Sequence, residues 1–148
     1  MAYPEWRFTN WTTMDLGSLT MASTTNESGS AFGFACGSTC SWFVNFQIQC
    51  TQGHEYPAMI NAPAGSYPIT LKCFHLGERR LLLFDADKDS FGILDKLGEA
   101  GFAIPLDSGK FKVSRFSLSG GTQAISKALD VIIERRKVSQ EGLEDFTI

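Results

Sequence analysis

Apolar side chains alternate singly with polar ones in short runs over most of this chain, and this two-residue period limits the fold more than any other feature. The clearest run is Ser41–Thr51, in which Trp42, Val44, Phe46 and Ile48 fall on one face. Successive side chains of a β-strand point to opposite faces of a sheet. The run therefore predicts a strand with its wholly apolar face in the core.

Shorter runs of the same kind, separated by residues that favour turns, predict further strands. They cover residues 6–13, 17–24, 31–36, 56–61, 67–75, 79–85, 102–106 and 110–118. Pro57 places its strand at a sheet edge or at a strand start, because proline cannot donate a hydrogen bond to a neighbouring strand. The segment 87–99 is ambiguous, since Gly92 and Gly98 would limit a helix there to a turn or two.

Near residue 120 the period changes to that of an α-helix. The apolar residues there form one helical stripe, made of Ala124, Ile125, Ala128, Leu129, Ile132 and Ile133. Ser119 is a suitable N-cap for a helix that begins within two residues of it, and the cations 135–137 suit its last turn. We therefore expect an amphipathic helix that buries this stripe and ends near Val138. The acidic tail 139–148 is expected to be flexible or to be ordered by a partner.

Together these elements predict a mainly β protein. The expected fold is an antiparallel β-sandwich or barrel of about eight strands with one C-terminal amphipathic α-helix across a sheet face or an opening. A chain of 148 residues suits one domain. Residues 1–138 would form that single β-rich domain.

Composition excludes some classes of partner. The net charge is -3 at pH 7, which argues against nucleic acid, since nucleic acid selects for basic surfaces. The sequence holds no run of 18 apolar residues, so no membrane span is expected. Residues 1–11 lack the features of a signal peptide. The expected location is secreted or periplasmic if a signal peptide was removed, and cytoplasmic otherwise.

The four cysteines, Cys36, Cys40, Cys50 and Cys73, could form disulfides or remain as buried thiols. Geometry favours one bridge between Cys36 and Cys40 across a short turn, and one between Cys50 and Cys73 on neighbouring strands. An even number of cysteines fits an oxidising compartment.

A metal site is a third possibility for the cysteines. Cys36, Cys40, Cys50 and Cys73 lie near His54 and His75 in sequence, and zinc accepts both thiolate and imidazole ligands. The chain lacks the paired CxxC knuckles of zinc ribbons, so the motif is incomplete.

Catalytic motifs are missing. His54 and His75 are the chain's two histidines, and either would have to act as the base in a serine or cysteine mechanism. The sequence contains neither a G-x-S-x-G elbow nor a P-loop. We therefore assign no catalytic residue and expect no cofactor.

Charges are unevenly distributed along the chain. Residues 1–72 hold six of the 29 charged side chains and all three tryptophans. Aromatic residues contribute much of the binding energy at protein interfaces, so an exposed aromatic face in this half would bind another protein. Its candidate residues are Tyr3, Trp6, Trp11 and Tyr56. The alternative is a domain with a Ser/Thr-rich surface whose aromatics fill the core.

The last strand and the start of the helix resemble a known family. The stretch Lys112–Gly121 (KVSRFSLSGG), followed by Ala124 and Leu129, resembles the ending of invasion-associated locus B-type proteins. Trp11, the paired cysteines and the turn Ala62–Gly65 fit the same outline over residues 6–133. The resemblance implies a small secreted bacterial β domain that ends with a strand, an SLxG turn and a short helix. It implies location and fold, and it carries over no catalytic residues.

These observations favour a non-enzymatic protein-binding domain, periplasmic or host-directed, whose partner is another protein. One alternative is a small-ligand or metal-binding protein that uses the Cys/His cluster. A second alternative is a small hydrolase with an unrecognised site.

Overall fold

The structure is a computed structural model that describes residues 3–46, 48–62, 65–84, 98–106 and 108–140. Most of the ambiguous segment 87–99 and the acidic tail from residue 141 lie outside the described residues. No helix in the described part of the chain is long and apolar enough to cross a membrane.

In the described residues ten antiparallel strands form one sheet. They are β1 (Glu5–Phe8), β2 (Trp11–Asp15), β3 (Thr20–Thr25), β4 (Ala31–Cys36), β5 (Cys40–Asn45), β6 (Glu55–Ala62), β7 (Gly65–Leu76), β8 (Arg79–Phe84), β9 (Glu99–Pro105) and β10 (Phe111–Ser117). Their order in the sheet is β1-β2-β3-β4-β5-β8-β7-β6-β9-β10. The predicted mainly β, antiparallel class is confirmed, with ten strands in place of about eight. In the described residues no ladder joins β1 to β10, so the sheet is open.

The extra strand arises because the run 6–13 is a hairpin of β1 and β2. Phe8 pairs directly with Trp11, so the chain reverses over the two residues between them. Thr9 has a φ of 53°, which is uncommon for a residue other than glycine. Asn10 donates its backbone N–H to the carbonyl of Ser119 and its side-chain Nδ2 to Ser117 Oγ. Hydrogen bonds from Asn10 to Ser117 and Ser119 therefore help stabilise this turn, which the local sequence pattern does not predict.

Pro57 lies where β6 has one neighbour. It pairs with Thr70 of β7, whereas the pairing of β6 with β9 covers only Met59 to Asn61. The missing N–H of proline therefore breaks no ladder, as the prediction of an edge or strand-start position requires.

The main core lies on one face of the sheet, which we call the inner face. Phe32 of β4 is at its centre, with ring centroids 5.1–6.5 Å from those of Trp11, Trp42, Phe84, Phe102 and Phe116. These rings belong to β2, β5, β8, β9 and β10, so strands from both ends of the sheet meet at one side chain. The open sheet is therefore curled around its core. A smaller buried cluster of Met21, Phe43 and Leu81 lies on the opposite, outer face.

The helix α1 (Gly121–Gln140) packs against β2 and β3. Its buried residues are Ala124, Ile125, Ala128 and Ile132, whereas Leu129 is 39% exposed and Ile133 is 47% exposed. The prediction of one six-residue buried stripe is therefore wrong for two members. At 100° per residue the four buried positions span about 100° of the helix, and the other two lie about 40° and 80° beyond them.

The start of α1 also differs from the prediction. Gly120, with a φ of 91°, precedes the helix, and its carbonyl accepts the hydrogen bond from the Ala124 N–H at 3.0 Å. Gly120 thus occupies the capping position predicted for Ser119. At the other end, the Arg135 guanidinium bonds the Asp15 carboxylate of β2 and the Thr20 hydroxyl of β3.

Candidate binding site

Both predicted disulfides are present. Cys36–Cys40 joins the paired ends of β4 and β5, and Cys50–Cys73 ties the segment after β5 to β7. All four cysteines are bonded, and none is free. The alternative of reduced, buried thiols is therefore not the state of this structure.

The candidate metal ligands fall into two groups. Cys50 Sγ, Cys73 Sγ and a ring nitrogen of His75 lie within 4.8 Å of one another, and His75 Nε2 is 3.0 Å from the Cys50 carbonyl oxygen. Cys36 and Cys40 form the other disulfide, and His54 is exposed. Sulfur binds zinc as thiolate, so with the disulfides formed the cluster offers His75 as its one ligand.

The four aromatic candidates do not share a binding face. Trp11 is fully buried, and its indole Nε1 donates to the Ser117 carbonyl at 2.8 Å; its assignment to a binding face is wrong. Trp6 is half-buried, with Lys127 Nζ 4.6 Å from its ring centroid. Tyr56 packs against the core on β6, and its hydroxyl accepts from the Thr51 N–H. Tyr3 is 59% exposed.

These aromatic side chains do not form a common exposed face because most of the aromatic residues are needed to fill the core. The main cluster of buried residues includes Trp11, Trp42 and six phenylalanines, three of which lie in residues 1–72. The charge-poor half therefore supplies large side chains to the interior. Buried area per residue is greatest for aromatics, so their concentration in one half of the sequence does not by itself indicate an exposed face.

Exposed apolar side chains cluster instead on the outer face of β6, β9 and β10. Val113 of β10, Ala103 of β9 and Met59 of β6 are direct neighbours in register. Phe111 and Pro105 pair in the next row. Phe111 is 64% exposed, Val113 54% and Met59 44%. We call these five residues the outer patch. None of them is among the binding-face residues predicted from the sequence.

The strand β10 lies at the edge of the sheet beside this patch. Asn26 Nδ2 donates to the Arg115 carbonyl at 3.1 Å and Trp11 Nε1 to the Ser117 carbonyl at 2.8 Å, so both carbonyls point away from β9. Backbone groups alternate in direction along a strand. The N–H and C=O of Val113 therefore face the same side, where no strand of the described chain pairs with them.

A cleft of about 630 Å³ runs along this edge of β10. It is lined by Val113, Ser114 and Arg115 on one side, and on the other by Thr24 of β3 and by Asn26 just beyond that strand. Its size is within the range of ligand-binding clefts. The cleft is the gap that remains where the curled sheet brings β10 back toward β3 without a ladder between them.

Arg115 limits the outer patch at one end. It pairs with Gly101 of β9, in the row next to Val113 and Ala103. A Cβ at Gly101 would lie 3.7 Å from Arg115 Cγ, so the arginine side chain lies alongside this glycine on the outer face. The site therefore combines an open strand edge, an apolar face and a guanidinium in one short stretch of β10.

These features define a small, disulfide-bonded, mainly β domain with a candidate protein-binding edge. No protein-family model matches the chain, and no curated protein matches its sequence. The fold is similar to that in the crystal structure of invasion associated protein B from Bartonella henselae, with a TM-score of 0.56 and 14% identity over 90% of this chain and 99% of that one. The resemblance drawn from the C-terminal residues is therefore confirmed for the fold.

Proposed function

We propose that this chain is a non-enzymatic domain that binds another protein through the outer patch and the open edge of β10. The observation that carries the proposal is the exposure of Phe111 (64%) and Val113 (54%) on an edge strand. An unpaired edge offers hydrogen bonds to an added strand, and alternate side chains beside it provide specificity.

The two edges of the sheet differ in a way that supports this assignment. The strand β1 has four residues, and the backbone of Gly120 packs tightly against its last carbonyl, that of Phe8. The strand β10 has seven residues and carries large apolar side chains at two successive outward positions. The carbonyls of Arg115 and Ser117 on this edge already accept bonds from Asn26 and Trp11, so the part that can pair with a partner strand is the Phe111–Val113 end, which carries the apolar side chains.

The alternatives have less support. A serine or cysteine hydrolase would use His54 or His75 as its base, and neither histidine lines the cleft beside β10. A metal-binding function would require reduction of the Cys50–Cys73 bridge.

Because disulfides persist in oxidising compartments, we also propose an extracytoplasmic location, periplasmic or secreted.

Site-specific photo-crosslinking tests the proposed function. The photoreactive p-benzoylphenylalanine is placed at Phe111 or Val113 of the full chain in cells of the native source. Phe74 is the matched control, since it is also an outer-face phenylalanine and is 40% exposed on β7. We expect protein adducts from Phe111 and Val113 and none from Phe74. Equal labelling at all three positions, or none at the two β10 positions, would overturn the proposal.

A further inference from the structure

We propose that the Cys36–Cys40 disulfide is a site of reversible exchange with low-molecular-weight thiols, and that the incoming thiol attacks at Cys40. This site is separate from the proposed binding edge, since four strands lie between β5 and β10 in the sheet order. The Cys50–Cys73 disulfide provides an internal comparison, because it is the same kind of bond in a different environment.

The two disulfides differ in their exposure to solvent. Cys50 is 9% exposed and Cys73 is 1% exposed, so both cysteines of that bridge are buried. In the other bridge Cys36 is 1% exposed, whereas Cys40 is exposed. Exchange begins when a thiolate reaches one of the two sulfurs of a disulfide. Cys40 is the one cysteine of the four that is exposed at the surface.

The pairing of the strands explains why Cys40 is exposed and Cys36 is not. Cys36 has a strand on each side, since it pairs with Thr20 of β3 and with Cys40 of β5. Cys40 is the first residue of β5, and the pairing of β5 with β8 begins only at Trp42. In the part of the chain that the structure describes, no strand therefore pairs with Cys40 on its β8 side.

A cleft of about 460 Å³ opens beside Cys40. It is lined by Cys40 itself, by Thr39 and Ser41 on either side of it, and by residues of β6, β7 and β8. Most of the lining residues have polar or charged side chains, and the volume is within the range of small-ligand clefts. Neither Cys50 nor Cys73 lines this cleft or the cleft beside β10. A small hydrophilic thiol thus has room to approach Cys40 and has no comparable approach to the other bridge.

The exchange is balanced in atoms and electrons. A thiolate, RS⁻, attacks Cys40 Sγ, the bond between Cys40 Sγ and Cys36 Sγ breaks, and Cys36 Sγ leaves with the electron pair. Cys36 takes up the proton that the attacking thiol released, so the products are a mixed disulfide, Cys40–S–S–R, and a Cys36 thiol. A second thiol then releases R–S–S–R, which reduces the two cysteines by two electrons and oxidises the two small thiols to their disulfide.

The same turn provides the reverse reaction. Cys36 and Cys40 are directly opposed in register, so the Cys36 thiol stays beside the mixed disulfide and can displace RS⁻ from it. The turn between them is also held by a hydrogen bond from the Gly37 N–H to the Thr39 carbonyl, at 2.9 Å. The closed bridge is therefore the resting state in an oxidising compartment, and it opens when thiols are abundant.

Opening this bridge should leave the domain folded. The strands β4 and β5 stay paired at five further positions, residues 31–35 of β4, and the ring centroids of Phe34 and Trp42 are 5.2 Å apart. The two cysteines are separated by 4 residues, against 23 for Cys50 and Cys73. A bridge that closes a shorter loop constrains the unfolded chain less, so less stability is lost when it opens.

The first test treats the full chain with increasing concentrations of reduced glutathione, without denaturant. Samples are quenched by rapid alkylation, the alkylated cysteines are identified by peptide mass spectrometry, and far-UV circular dichroism monitors the fold. We expect Cys36 and Cys40 to be alkylated at glutathione concentrations that leave Cys50 and Cys73 bonded, with an unchanged spectrum. Earlier opening of Cys50–Cys73, simultaneous opening of both bridges, or no opening of Cys36–Cys40 until the chain unfolds would each overturn the inference.

A matched pair of variants identifies the attacked sulfur. Cys36→Ser and Cys40→Ser lose the same bridge, and they leave a free thiol at Cys40 and at Cys36, respectively. With glutathione disulfide as the probe, we expect Cys40 to gain a glutathionyl group faster than Cys36 by a factor on the order of ten or more, since reactivity follows the exposure of the thiol. Equal rates, or a faster reaction at Cys36, would overturn the assignment of Cys40. The first test uses the unmodified chain, so it decides the exchange itself even if these variants fold poorly.

Discussion

A Cβ atom at residue 120 would lie 1.9 Å from the carbonyl oxygen of Phe8. The backbone of Gly120 therefore packs directly on the end of β1, at the point where the chain leaves β10 and enters α1. Gly120 also has a φ of 91°, a conformation in which residues with a Cβ are strained. Two separate constraints thus require glycine at the junction of the sheet and the helix.

We expect Gly120→Ala to lower the free energy of unfolding by about 3 kcal/mol or more, since it combines a strained φ with a backbone clash. Gly109→Ala is the matched control: its φ is 84°, but no atom lies within 4 Å of its added Cβ. That change should cost only about 1 kcal/mol. Urea unfolding of both variants checks the difference, and equal losses would show that the contact with Phe8 contributes nothing.

The two faces of α1 should respond differently to substitution. Ile125 is 4% exposed and lies in the main core, so Ile125→Ala should cost about 2–4 kcal/mol. Ile133 has the same side chain but is 47% exposed, so Ile133→Ala should change stability by less than about 0.5 kcal/mol. Thermal or urea unfolding measures both. A large loss from Ile133→Ala would mean that its face of the helix is covered.

Local sequence patterns predicted the elements that depend on local rules. The alternation in residues 31–36 matches β4 without error, because an apolar strand must turn one face to the core. The short turn between Cys36 and Cys40 placed the first disulfide correctly. The helix of residues 121–140 followed from its period.

Features that depend on long-range contacts could not be predicted in this way. The cleft beside β10 exists because Asn26 and Arg115, 89 residues apart, are brought together by the curl of the sheet. The outer patch depends on the pairing of β6 with β9, which are not consecutive strands. The turn at Thr9 carries no glycine and is held partly by distant residues, so residues 6–13 gave no local signal of a reversal.

Removal of the Cys50–Cys73 bridge should destabilise the domain more than removal of Cys36–Cys40. The first closes a separation of 23 residues and the second one of 4. The chain-entropy model gives about 3 kcal/mol and about 2 kcal/mol for such loops. Paired Cys→Ala variants and urea unfolding measure the two losses. A larger loss for Cys36/Cys40 would contradict the ranking.

Trp11 and Trp6 allow a matched test of burial on neighbouring strands. Trp11 is fully buried and its Nε1 donates to the Ser117 carbonyl, so Trp11→Phe removes a buried hydrogen bond and leaves unfilled volume. We expect a loss of about 2–3 kcal/mol. Trp6 is half-buried beneath Lys127, and Trp6→Phe keeps an aromatic ring there, so its loss should stay below about 1 kcal/mol. Urea unfolding followed by far-UV circular dichroism measures both variants without relying on tryptophan fluorescence. If the two losses were equal, the bond between Trp11 and the end of β10 would not contribute to holding that strand against β2.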